Sequence, residues 1–129
     1  MLIVDASCLY EVVADTARAD DVRARLVVDP DHAAPSAIDA EVVSVIRRDH
    51  LLGRLDATAA AQAVHDLRDW PGERFGHRPL LERVWELRRS VRPSDAFYIA
   101  LAELMQATLL TSDSRLARAP GPRCAIEVV

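Results

Sequence analysis

Short apolar, β-prone runs recur along this chain, and each is followed by a longer stretch whose apolar residues have helical spacing. That alternation is the feature that most limits the fold. Strands joined through helices give a parallel sheet covered by helices on both faces. Leu2–Val4 reads as a buried strand ending at Asp5. Helices are expected at Ser7–Ala14 and Ala17–Val27, ahead of the Asp29-Pro30-Asp31 breaker. His32–Ala34 forms a second short strand, and Pro35-Ser36 opens a helix running to Leu52, before Gly53. Another helix spans Asp56–Trp70. The stretch Pro71–Pro79 is a loop carrying a short strand at Arg74–Phe75. Leu80–Arg89 is helical, with Leu81, Val84, Trp85 and Arg88 at helix spacing. Ser94–Met105 is the next helix, Thr108–Thr111 a strand, Ser114–Ala119 a short helix and Ala125–Val128 the last strand. No linker, repeat or low-complexity tract interrupts the 129 residues, so one domain spanning 1–129 is expected. The expected architecture is a three-layer α/β/α sandwich around a central parallel sheet.

The acids fall where such a sheet binds ligands. Asp5 follows the first strand directly, and Asp113 follows the Thr108–Thr111 strand by two residues. Ligands of open α/β sheets bind outside the carboxyl ends of the strands. Asp95, at a helix start, reaches the same edge if its helix leads into the Thr108 strand. Glu41 lies one turn into the Ser36–Leu52 helix, beside Ile38, Val42 and Val45. Four converging carboxylates repel one another without a cation, and an all-oxygen set suits Mg2+ or Mn2+. Each acid has a plainer use, since Asp5, Asp95 and Asp113 sit where helix caps are favoured. Asp39 competes with Glu41, but Ser36 and Asp39 have the spacing of a capping box, which leaves Glu41 without a structural task. Ser7, Thr111 and Ser112 are placed to hydrogen-bond a carboxylate or a phosphate, or to cap helices.

Other features narrow the chemistry. All 16 basic residues are arginine and the net charge is -4, so any nucleic acid must be held by a local arginine patch or by metal. Two cysteines, Cys8 and Cys124, provide neither a disulfide framework nor a thiolate zinc site, and Cys8 is expected in the core. His32, His50, His65 and His77 lack metal spacing, and Trp85 with Leu81 is expected to pack inside. Arg47-Arg48 and Arg88-Arg89 are expected on solvated helix faces. No run approaches a membrane span and the N-terminus lacks the form of a signal peptide, so a soluble cytoplasmic protein is expected. A phosphoryl-transfer domain built on Asp5 is disfavoured. A receiver domain needs a lysine that this chain lacks, and a haloacid-dehalogenase-like site needs an acid where Ser7 stands. A catalytically inactive binding module remains the other alternative.

Four segments together resemble one family. Ile3-Val4-Asp5-Ala6-Ser7 is similar to the opening of PIN-domain proteins, and Glu41–Arg48 to their second acidic segment. Leu81–Arg88 with Ser94–Glu103 resembles the third region, and Thr111–Arg118 the fourth. Their order and spacing resemble the VapC toxins of bacterial toxin–antitoxin pairs. The resemblance implies a PIN fold, a Mg2+- or Mn2+-dependent endoribonuclease, and an acidic quartet of Asp5, Glu41, Asp95 and Asp113. It also implies a VapB-type antitoxin whose C-terminal segment blocks the site, a homodimer, and a toxin–antitoxin hetero-oligomer that binds its promoter through the antitoxin. Ser114 departs from the glycine that many relatives carry after the last Asp. On this reading Asp5 and Asp95 are the main metal ligands, and Glu41 and Asp113 complete the site. Metal-activated water attacks RNA, and no histidine base is needed. Arg92 and Arg115, with Ser7 and Ser112, are candidate substrate contacts, and single-stranded loops of RNA are the expected targets. An inhibitor can fill such a site with an arginine or lysine aimed at Asp5 and Asp95.

Overall fold

In the computed structural model, which describes residues 1–129, five short strands form one sheet. They are β1 (Leu2–Val4), β2 (His32–Pro35), β3 (Glu73–Phe75), β4 (Thr108–Thr111) and β5 (Ile126–Val128), in the spatial order β3-β2-β1-β4-β5. Every pairing is parallel. The chain builds outward from β1 through β2 to β3, then returns to the other side of β1 with β4. The gap between β1 and β4 is therefore the point where strand order reverses, the usual ligand position in such sheets. Residues of β1 are at most 1% exposed, because this strand has neighbours on both edges and helices on both faces.

The helices are α1 (Ala6–Val13), α2 (Ala19–Val28), α3 (Ala37–Leu51), α4 (Ala57–Asp69), α5 (Leu81–Glu86), α6 (Pro93–Leu104) and α7 (Ser114–Arg118). Helices α1 to α4 pack against one another, with α1 on β4 and α3 on β2. Helix α6 lies over β1, β2 and β4 and holds α5 on its outside. This is the expected three-layer sandwich. Small buried residues, Ala96, Ala100 and Ala102, let α6 come close to the sheet, and Pro93 starts it with the fixed φ that a first turn accepts. Cys8 is fully buried, as expected of a core residue. No helix is long and apolar enough to cross a membrane.

Three local expectations are corrected. The first is the capping box. Ser36 is itself in helical conformation and makes no side-chain cap; its hydroxyl donates to the Phe75 carbonyl at 3.1 Å. The first amide of α3, on Ala37, is taken up by His77 Nε2 at 3.1 Å. Asp39 is instead paired with Arg74 at 3.0 Å. The second is only a bound: the short strand expected at Arg74–Phe75 is there, one residue longer from Glu73, as the edge strand beside β2. Arg74 pins it by donating to the carbonyls of Leu67, Trp70 and Gly72 while lying over the Trp70 ring. The third is the Leu80–Arg89 helix. It opens with a 3₁₀ turn at Arg78–Leu80 and its α-helical part ends at Glu86. Leu80, Val84 and Leu87 make the buried contacts, whereas Leu81 and Trp85 point outward, Trp85 with 68% of its surface exposed under the Arg88 guanidinium. Both spacings are helical, and periodicity alone does not say which stripe faces inward.

Candidate active site

The site is assembled at the carboxyl edge of β1 and β4. Asp5 is the residue at which β1 ends and α1 begins, and it is 6% exposed. Its side chain caps no backbone amide. It accepts hydrogen bonds from the Thr111 hydroxyl at 2.6 Å and the Ser7 hydroxyl at 3.0 Å. Burial pushes the Asp5 carboxyl above its ordinary pKa; the two hydroxyls work against this and the Asp95 charge adds to it. The purely structural capping role is therefore not the one that Asp5 fills.

The two loops carrying these groups are tied together. The Ser112 amide donates to the Ser7 hydroxyl at 3.2 Å, and the Asp113 amide donates to Thr111 Oγ1 at 3.0 Å. Ser112 thus contributes its backbone, while Ser7 and Thr111 contribute hydroxyls aimed at a carboxylate. The Asp5 backbone amide closes the same corner on the Leu110 carbonyl.

Glu41 stands one helical turn into α3, half-buried, and no arginine pairs with it. Its pKa is pushed up to about 7, first by burial and then by the charges of Asp5 and Asp95. Those influences place Asp5, Glu41 and Asp95 in one electrostatic cluster although they come from three different elements. Asp39, the sequence competitor, is drawn off to Arg74.

Asp95 and Asp113 are held differently. Asp95, in the first turn of α6, pairs with Arg92 at 3.3 Å. Asp113 caps α7 by accepting from the Arg115 amide at 2.9 Å, and its two oxygens accept from Arg115 Nε and Nη2 at 3.0 and 2.9 Å. Arg115 holds the Asp113 carboxyl below its ordinary pKa, and Arg92 contributes to that. These four side chains line a single cleft of about 210 Å³. Both arginines are about three-quarters exposed, at 72% and 75%.

Sequence reasoning overlooked Tyr98. It is fully buried, its hydroxyl makes no hydrogen bond, and its pKa is raised by burial, then by Glu41 and Asp5. Its position three residues after Asp95, on the same face of α6, was the available signal.

The donor set fits a hard divalent cation in chemistry, being all carboxylate oxygen with Asp5 and Glu41 unmatched by any cation of the chain. No group of three or more Asp, Glu, His or Cys side chains stands ready as ligands; Asp95 and Asp113 are bonded to arginines instead.

The comparisons with known proteins bear on this geometry. The family described as PIN domain matches residues 2–122. Ribonuclease VapC3 of Mycobacterium tuberculosis is 41% identical over 119 residues, covering 92% of this chain and 86% of that protein. Ribonuclease VapC1 of the same species is 37% identical over 128 residues, covering 98% and 96%. Among solved structures, VapBC2 from Rickettsia felis bound to a DNA fragment from their promoter superposes with a TM-score of 0.71 at 12% identity, covering 99% of this chain and 98% of that one. FitAcB from Neisseria gonorrhoeae gives 0.71 at 16% identity, with 98% and 96% covered. At those identities the structures speak for the fold.

Proposed function

From the premise that this chain belongs to the PIN-domain family, alongside the VapC ribonucleases, we propose that it is the toxin ribonuclease of a VapBC-type toxin–antitoxin pair. The observation that carries this reading is the identity of 37% with a VapC ribonuclease over essentially the full length of both proteins. The whole chain, residues 1–129, acts as one PIN unit, cleaving RNA internally with a divalent metal. Asp5, Glu41, Asp95 and Asp113 hold that metal, Mg2+ or Mn2+. Bound there, the cation supplies Lewis acidity that activates water and offsets charge on the scissile phosphate.

The chain's own residues have distinct tasks in this reading. Ser7 and Thr111 fix the Asp5 carboxylate by donating to it. Asp95 and Asp113, now paired with Arg92 and Arg115, would hold the cation from the cleft side. Arg92 and Arg115, exposed at the rim of the same cleft, are then free to contact the RNA backbone. Arginine suits this switch because its planar fork pairs equally well with carboxylate and with phosphate. A VapB-type antitoxin restrains the activity by covering the site, and an arginine or lysine from it is aimed at Asp5 and Asp95. The toxin associates as a homodimer within a larger toxin–antitoxin assembly.

Incubating the purified chain with total RNA in Mg2+ or in EDTA, then mapping new ends, tests the activity. Discrete internal cuts that vanish with EDTA are expected. Metal-independent cleavage, or none from a folded chain, contradicts the reading. Inducing the chain alone arrests growth on this account, and the neighbouring small open reading frame relieves it.

A further inference from the structure

Tyr98 presents the one hydroxyl buried at this site that no partner satisfies. Helix α6 holds its ring in the core with no exposed surface, so the hydroxyl cannot turn out to water. Burying a hydroxyl without a partner is unfavourable, and phenylalanine would fill the same space without that cost. The oxygen stands beside two carboxylates, Glu41 and Asp5. Asp5 Oδ2 already accepts from both Ser7 and Thr111. Glu41 has no arginine and no such pair of hydroxyls; its neighbouring donor is Tyr98, close enough to act on it but short of hydrogen-bonding geometry. A donor lacking an acceptor and a carboxylate lacking a donor thus face each other across α3 and α6.

We infer that Tyr98 is a positioning residue, whose hydroxyl donates to the Glu41 carboxylate and holds it toward Asp5 and Asp95 when a divalent cation is bound. This rests on the proposed reading of the four acids as a cation site. Outer groups that orient a ligand carboxylate govern metal affinity as well as geometry. Tyr98 touches neither RNA nor cation, and its influence runs through Glu41.

The test is Mn2+ binding, read from the free-ion signal in electron paramagnetic resonance, for wild type, Tyr98→Phe, Glu41→Gln and the double variant. Melting temperatures without metal are measured alongside. Tyr98→Phe should melt at or above wild type without metal, since only an unsatisfied oxygen is lost. Its Mn2+ affinity should fall on the order of tenfold to a hundredfold. In the Glu41→Gln chain, the same change should cost nothing further, read as the melting-temperature rise at high Mn2+ where weak binding still registers. Wild-type Mn2+ affinity in Tyr98→Phe would overturn the inference while leaving the metal site standing. A further loss of equal size in the Glu41→Gln background would overturn the route through Glu41. Absence of Mn2+ binding by wild type would overturn both the inference and the cation reading beneath it.

Discussion

Asp5 and Glu41, the inner pair, have hydroxyls as neighbours, whereas Asp95 and Asp113 line the cleft and each meets an arginine from its own helix end. Burial, and after it the charge of Asp95, raises the pKa of the first pair, and Arg115 lowers that of Asp113. The inner pair lacks a cation and the outer pair carries one that can leave. This division explains how a chain can fold with four acids at one edge. Half the charge is neutralised internally by groups exposed enough to let go, and burial disfavours the charge of the other half.

The largest effect expected is on the inner pair. If Glu41 holds the proposed cation, Glu41→Gln should reduce cleavage by at least about a hundredfold, the upper end of what losing a mere partner of a metal ligand costs. Asp39→Ala should cost at most about 1 kcal/mol, because its ion pair with Arg74 is half exposed, and should leave activity near wild type. RNA cleavage and thermal melting of the two variants check this. The reverse ranking would reassign the ligand.

Next comes pH, where Glu41 and Asp113 respond in opposite directions. The folded-state pKa of Glu41, about 7, lies above its ordinary value of 4.5, so the folded chain binds that proton more tightly. Its contribution to stability is full below about 4.5 and is lost as pH rises through about 7. The Asp113 pKa is lowered from 3.8, so its contribution is present above that value and lost as pH falls through the lower one. Melting temperatures of wild type, Glu41→Gln and Asp113→Asn from pH 3 to 8 separate these. The advantage of wild type over Glu41→Gln should shrink between about 4.5 and 7, and that over Asp113→Asn should shrink only in acid. In the same way, the stabilisation by Mg2+ should grow as pH rises toward 7. A flat difference in both windows would remove the electrostatic distinction between the pairs.

The smallest effect belongs to the arginines. Exposed ion pairs contribute about 0–1 kcal/mol, so Arg92→Ala and Arg115→Ala should change folding stability little and alter metal affinity by less than about fivefold. The loss should appear in KM for RNA, with a weaker dependence of binding on salt. Unchanged KM in the double variant would leave both arginines as partners of carboxylates alone.

Much of this was legible beforehand, for identifiable reasons. Strand–helix alternation is set by hydrophobic spacing, so the parallel sheet and the placing of Asp5 and Asp113 at strand ends could be read directly. The quartet was also suggested by the resemblance of Asp5, Glu41, Asp95 and Asp113 to a known motif order. What stayed hidden depends on long-range partners. Ser36 and Asp39 have capping-box spacing, but β3 brings Phe75, Arg74 and His77 against the start of α3 and takes over each task. Trp85 has helical spacing with Leu81, yet Leu80, Val84 and Leu87 form the stripe that α6 covers. Sequence alone offers Arg92 and Arg115 as groups for phosphate, and their bonds to Asp95 and Asp113 depend on side-chain directions that spacing does not give. Tyr98 reads as an ordinary core aromatic until the fold sets Glu41 beside its hydroxyl.

The central claim is that both pairs serve one cation. The most direct measurement is the rise in melting temperature on adding Mg2+ or Mn2+ to wild type, Asp5→Asn and Asp95→Asn. The account predicts a rise in wild type, since a ligand bound only by the folded state stabilises it, and no rise in either variant. A rise that survives both substitutions would place the cation elsewhere. A rise lost with Asp5→Asn but kept with Asp95→Asn would confine it to the inner pair and contradict the single shared site.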